Sequence, residues 1–117
     1  MKLFNIQATK LLYATMTNTD VAYYELKETY QDIENMGVEP LILDSTMPII
    51  GTDIDIISGY WERGYRCHID GLVFALLEGD WTFTNSLRYS DKGCETIGGT
   101  SGSPIIQTDT RTVVGIN

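Results

Sequence analysis

The chain has 117 residues, 43% of them hydrophobic and 21% charged, enough for a small packed core but short of the ~200–250 residues a closed barrel fold can take. Sixteen acidic side chains against eight basic ones leave a net charge of −8, which argues against nucleic acid or an anionic membrane as a partner. The longest apolar run, LVFALL from Leu72 to Leu77, is far below the ~20 residues that cross a bilayer, and the opening MKLFNIQATK lacks the apolar region and cleavage site of a secretory signal.

Strand signals dominate the chain. Lys10–Met16 and Asp20–Leu26 are short, apolar and aromatic, and the polar Thr17-Asn18-Thr19 between them gives hairpin spacing. Thr29–Gly37 is polar and ends on glycine, which predicts a loop or one or two helical turns. Pro40 and Pro48 punctuate the segment that follows. Within Gly51–Trp61 the alternation Asp53, Ile54, Asp55, Ile56 has the period of a half-buried strand with its acids toward solvent. Tyr65–Leu77 and Trp81–Tyr89 are further strands on either side of Glu78-Gly79-Asp80, and Pro104–Gln107 and Thr112–Ile116 flank a last turn. Strands at about 8–12 residue spacing, without internal repeats, predict an antiparallel all-β sandwich or barrel.

Cys67 and Cys94 match no zinc or redox spacing. In an oxidising compartment they could pair, contributing roughly 3.5 kcal/mol in the chain-entropy model; in a reducing one they are buried thiols. His68, the sole histidine, adjoins Cys67, but neighbours on a strand point to opposite faces, so the two are poor joint metal ligands. No metal or cofactor is expected.

The stretch GGTSGSPII, from Gly98 to Ile106, carries the chemistry. It opens no helix and lacks the lysine of a phosphate-binding loop, and Ser103 stands where an esterase elbow needs glycine. What remains is a tight glycine-supported loop presenting one hydroxyl, that of Ser101. The N–H groups of Gly99 and Ser101 could meet at the oxygen of an attacked carbonyl.

Gly99-Thr100-Ser101-Gly102-Ser103-Pro104, followed by a strand, a turn and Val113-Val114-Gly115-Ile116-Asn117, resembles the nucleophile region of the chymotrypsin-like (trypsin-fold) serine proteases, and is most similar to bacterial exported members including the glutamyl endopeptidases. The resemblance implies Ser101 as nucleophile and Gly99 and Ser101 as oxyanion donors. Thr19-Asp20-Val21-Ala22 resembles the family segment whose aspartate orients the catalytic histidine, which implies that role for Asp20. Gly51 to Tyr60 is similar to the strand that opens the second barrel. The implied fold is an antiparallel double β-barrel, present in part. Residues 1–45 would be the end of the first barrel and the linker, and residues 46–117 the second barrel, cut short after Asn117.

One element of the family pattern is missing. Its histidine precedes the aspartate, and residues 1–19 contain none; His68 lies between Asp20 and Ser101 and reads as a plain strand residue. The chain therefore looks like a fragment, inactive alone, of a secreted or periplasmic endopeptidase acting on polypeptides. The resemblance places Glu95 and Thr96, six and five positions before Ser101, in the primary specificity pocket. It places Asn117 in the same pocket, where the glutamyl endopeptidases carry a histidine whose positive charge Asn cannot supply. The alternative is a protease-fold binding module whose catalytic site is incomplete. A paired-carboxylate hydrolase built on Asp53 and Asp55 is a distant third reading. If Asp20 and Ser101 share one triad, their side-chain oxygens lie roughly 6–9 Å apart, with an imidazole between them.

Overall fold

The computed structural model describes residues 4–90 and 92–117. The chain divides into two compact units, one ending at Pro40 and one running from Leu41 to Asn117.

In the first unit, β1 (Ala8–Thr15) and β2 (Val21–Leu26) form an antiparallel hairpin with Ala8 opposite Leu26 and Thr15 opposite Val21. Tyr13 and Tyr23 are direct cross-strand partners whose rings stack with centroids 5.3 Å apart, the kind of pair that holds an isolated ribbon in register. Leu11, Leu12 and Tyr24 on this ribbon are exposed. The polar stretch after it forms α1 (Tyr30–Asn35), because Thr29 and Asp32 close a reciprocal cap. The Asp32 N–H donates to Thr29 Oγ1 at 3.1 Å, and the Thr29 N–H donates to Asp32 Oδ2 at 2.9 Å. Ile33 is the buried residue of this helix.

The second unit contains β3 (Asp53–Ser58), β4 (Arg63–His68), β5 (Gly71–Glu78), β6 (Trp81–Arg88), β7 (Pro104–Gln107) and β8 (Val113–Ile116). Four of these make an antiparallel sheet in the order β4-β3-β7-β8, and β5 and β6 make a separate antiparallel hairpin. The fold is all-β, with antiparallel sheets. Among the described residues no sheet closes into a barrel. Residues 41–45, which the resemblance assigns to the linker, run beside β8: the Val113 N–H donates to Ile42 O at 2.8 Å and the Asp44 N–H to Val113 O at 2.9 Å.

The single strand expected over Tyr65–Leu77 is two, β4 and β5. The break falls at Ile69-Asp70 because these residues change partners. Ile69, fully buried, exchanges backbone bonds with Gly51 and Thr52, whereas the Asp70 N–H donates to Arg88 O at the end of β6. The core gathers Ile54, Ile56, Tyr65, Ile69 and Ile105 around Cys67 and Cys94, which form a disulfide spanning a sequence separation of 27. Leu87, Tyr89 and Val114 pack against this cluster.

The acids of β3 do not both face solvent. Asp53 is exposed, but Asp55 is 4% exposed, since β3 is an interior strand and the Arg66 directly opposite lies over the carboxylate. Arg66 Nε donates to Asp55 Oδ1 at 2.7 Å and Nη2 to Oδ2 at 3.2 Å, while Arg111 Nη1 reaches Oδ2 at 3.3 Å. The hydrogen bonds from Arg66, aided by the charges of Arg66 and Arg111, outweigh burial and hold the Asp55 carboxyl below its ordinary value of 3.8. A carboxyl lowered by folding stabilises the folded state above its ordinary pKa, and that contribution is lost as pH falls through the folded value. Asp55→Asn is therefore expected to cost about 1.5–3 kcal/mol near neutrality, the worth of hydrogen bonds to a charged group, and the difference from wild type should shrink as pH falls below the ordinary carboxyl value. Urea melts across that range check it.

Candidate functional site

Two successive turns shape the loop from Ile97 to Ser103. In the first, the Thr100 N–H donates to Ile97 O at 3.1 Å; in the second, the Ser103 N–H donates to Thr100 O at 3.0 Å. The third residue of each is glycine at positive φ, Gly99 at 96° and Gly102 at 82°, the conformation a type II turn requires there and one that side chains rarely adopt. The two glycines of the motif are thus its two corners, and Ser101 stands between them as the second residue of the second turn. Ser101 is exposed, flanked by the buried Thr100 and Ser103. Thr100 turns its hydroxyl inward to Ile97 O, anchoring the loop on one side of the serine.

The loop is also gripped from outside. Trp61, in the turn after β3, donates its indole Nε1 hydrogen to Gly98 O at 2.9 Å, and a Cβ on Gly99 would stand 2.8 Å from that nitrogen. Gly99 is therefore required by space as well as by φ. On the other side, the Gly102 N–H donates to Asn117 O at 2.7 Å and the Asn117 N–H to Ser103 O at 2.9 Å, an extension of the β7–β8 ladder. The Asn117 side chain bridges further: Nδ2 donates to Thr100 O at 3.3 Å, and Oδ1 accepts from the Tyr89 hydroxyl at 2.6 Å. Burial, with the Glu78 carboxylate adding to it, raises the Tyr89 phenol above its ordinary value, so it remains a proton donor well past neutrality.

Among the described residues, the N–H groups of Gly99 and Ser101 donate to no protein acceptor, while those of Thr100, Gly102 and Ser103 are all engaged. Both residues are exposed. Among the described residues the loop therefore presents the Ser101 hydroxyl and two unengaged backbone donors at its surface.

No family model matches this chain, and no curated protein or solved structure does either.

The other residues singled out by sequence fall as follows. Glu95 is exposed and Thr96 half-buried, both between Cys94 and the first turn, and the Thr96 N–H donates to Cys94 O at 2.8 Å. Cys94 itself is fixed by its disulfide, so the segment leading to Ser101 starts from a point tied to β4. Asp20 belongs to the first unit, exposed in the β1–β2 connection immediately before Val21. His68 is the half-buried last residue of β4, opposite Asp53 in the ladder. With Cys67 in a disulfide, the adjacent pair offers no thiolate for a metal, and among the described residues no three His, Cys, Asp or Glu side chains cluster as ligands would.

Trp61, Tyr89 and Thr100 are the site residues that sequence reasoning missed. The pairing of Trp61 with Gly98 spans 37 positions and that of Tyr89 with Asn117 spans 28, so no local pattern carries either.

Proposed function

We propose that the chain is the Asp- and Ser-bearing part of a serine endopeptidase of the trypsin fold, an exported enzyme that cleaves polypeptides through an acyl-enzyme and needs no cofactor. The observation that carries this reading is the Ser101 loop: an exposed hydroxyl between two glycine corners, with the N–H groups of Gly99 and Ser101 unengaged among the described residues. Antiparallel all-β architecture and the Cys67–Cys94 disulfide, a bond that persists in oxidising compartments, support the fold and the location. In this reading Ser101 attacks the scissile carbonyl, a histidine takes its proton, Asp20 holds that imidazole in the required tautomer, and the two N–H groups receive the oxyanion. Glu95 and Thr96 contribute to the pocket for the residue before the cleaved bond. In this reading His68, the last residue of β4 opposite Asp53, is not the base, and the histidine is supplied from outside these 117 residues.

A fluorophosphonate probe tests the assignment, because it bonds covalently only to an activated serine. The protein expressed from its complete coding sequence should be labelled at Ser101, located by mass spectrometry of the digest, whereas the 117-residue chain alone should react negligibly. Absence of labelling in the complete protein would favour the binding-module reading, for which the sole histidine on β4 is the supporting observation.

A further inference from the structure

The two donors proposed for the oxyanion are N–H groups of two particular peptide planes, Gly98–Gly99 and Thr100–Ser101. A trans peptide is planar, with its C=O and N–H pointing in opposite directions, so whatever holds the carbonyl aims the N–H. No cis peptide occurs among the described residues. The carbonyl of the first plane, Gly98 O, is held by the Trp61 indole at 2.9 Å, and that of the second, Thr100 O, by Asn117 Nδ2 at 3.3 Å and the Ser103 N–H at 3.0 Å. The Gly98–Gly99 plane needs such a restraint most, since glycine on both sides lets a peptide rotate with little steric penalty. For Asn117 the restraint depends on which way the amide faces. Tyr89 decides this, because its hydroxyl donates to Oδ1 and leaves Nδ2 for Thr100 O.

We infer that Trp61 and Asn117, the latter oriented by Tyr89, are positioning residues that aim the Gly99 and Ser101 N–H groups outward by fixing the peptide planes that carry them. Asn117 thereby acts through the loop, with both ends of its amide occupied, rather than by contact with the substrate side chain. The catalytic meaning of this arrangement rests on Ser101 being the nucleophile; the fixing of the planes does not.

The test therefore has two arms. In the 15N-labelled protein, Trp61→Phe should give a second, exchanging amide signal at Gly99 and leave Ser101 unchanged, whereas Tyr89→Phe should do the reverse. Tyr89→Phe removes only a hydroxyl. Should Trp61→Phe unfold the protein, 3-benzothienylalanine at position 61 keeps the shape of the indole without its N–H. Unchanged amides in the folded variants, or equal disturbance of the whole loop in each, overturns the inference. In the complete protein, each variant should lower the maximal rate of fluorophosphonate labelling by about 10²–10³-fold, as for loss of one oxyanion donor, while half-saturation stays within about twofold. A change confined to half-saturation overturns the positioning role. Failure of the unmutated protein to label at Ser101 removes the catalytic meaning, and the amide signals still decide whether the planes are fixed as described.

Discussion

If the chain belongs to a serine endopeptidase as proposed, Ser101→Ala is expected to lower peptide hydrolysis by the complete protein about 10⁶-fold, to the level that substrate binding and the proposed oxyanion donors sustain by themselves. The size of the effect follows from the role. A serine hydroxyl is almost wholly protonated at neutral pH, and its removal leaves no atom to form the acyl-enzyme, so the histidine and aspartate lose their function with it. The structure makes this a clean experiment. Ser101 is exposed, and the loop is closed by backbone bonds of Thr100, Gly102, Ser103 and Asn117, not by the Ser101 side chain. Stability should therefore stay within about 0.5 kcal/mol of wild type, as for a surface substitution away from special features. Turnover on a peptide substrate and a urea melt, measured on the same preparations, give the two numbers. Retained turnover in the variant would remove Ser101 from the chemistry.

How much of this was legible beforehand depends on the range of the interactions. Gly99 and Gly102 announce their turns because a positive φ is a local demand and glycine is its local answer. The hairpins were readable for the same reason: alternation and turn residues lie within one short window. Tyr65–Leu77 reads as one strand because its apolar residues run on through Ile69-Asp70, where only the change of partner from Thr52 to Arg88 ends β4. Asp55 differs from its sequence expectation in a similar way. Period-2 alternation assigns a face, but it cannot show that Arg66 and Arg111 cover that face and turn an exposed acid into a buried, paired one. The grips on the Ser101 loop were invisible altogether. Trp61 and Tyr89 are each ordinary aromatic residues in sequence, and their importance arises only when the sheet brings them to Gly98 and Asn117.

Asp20→Asn should reduce turnover of the complete protein by about 10⁴-fold with little change in folding. The aspartate proposed here does not take the proton. In that proposal it would accept a hydrogen bond from one ring nitrogen of the histidine, leaving the other nitrogen free to take the proton of the nucleophile, and would stabilise the imidazolium that forms on attack. Asparagine keeps the size but can donate its own N–H to the ring, selecting the tautomer whose proton faces the serine. A base that already carries a proton cannot accept one. Because Asp20 is exposed in the β1–β2 connection, a loss of this size cannot be assigned to a disrupted core. The β1–β2 register, held by Tyr13 and Tyr23, should survive and be visible as unchanged aromatic circular dichroism. His68→Ala serves as the comparison: it removes the one imidazole of these 117 residues and should alter turnover less than about twofold, within the range of surface substitutions. If instead His68→Ala abolished turnover in a folded protein and Asp20→Asn left it intact, the base would belong to β4 and the assignment of Asp20 would fall.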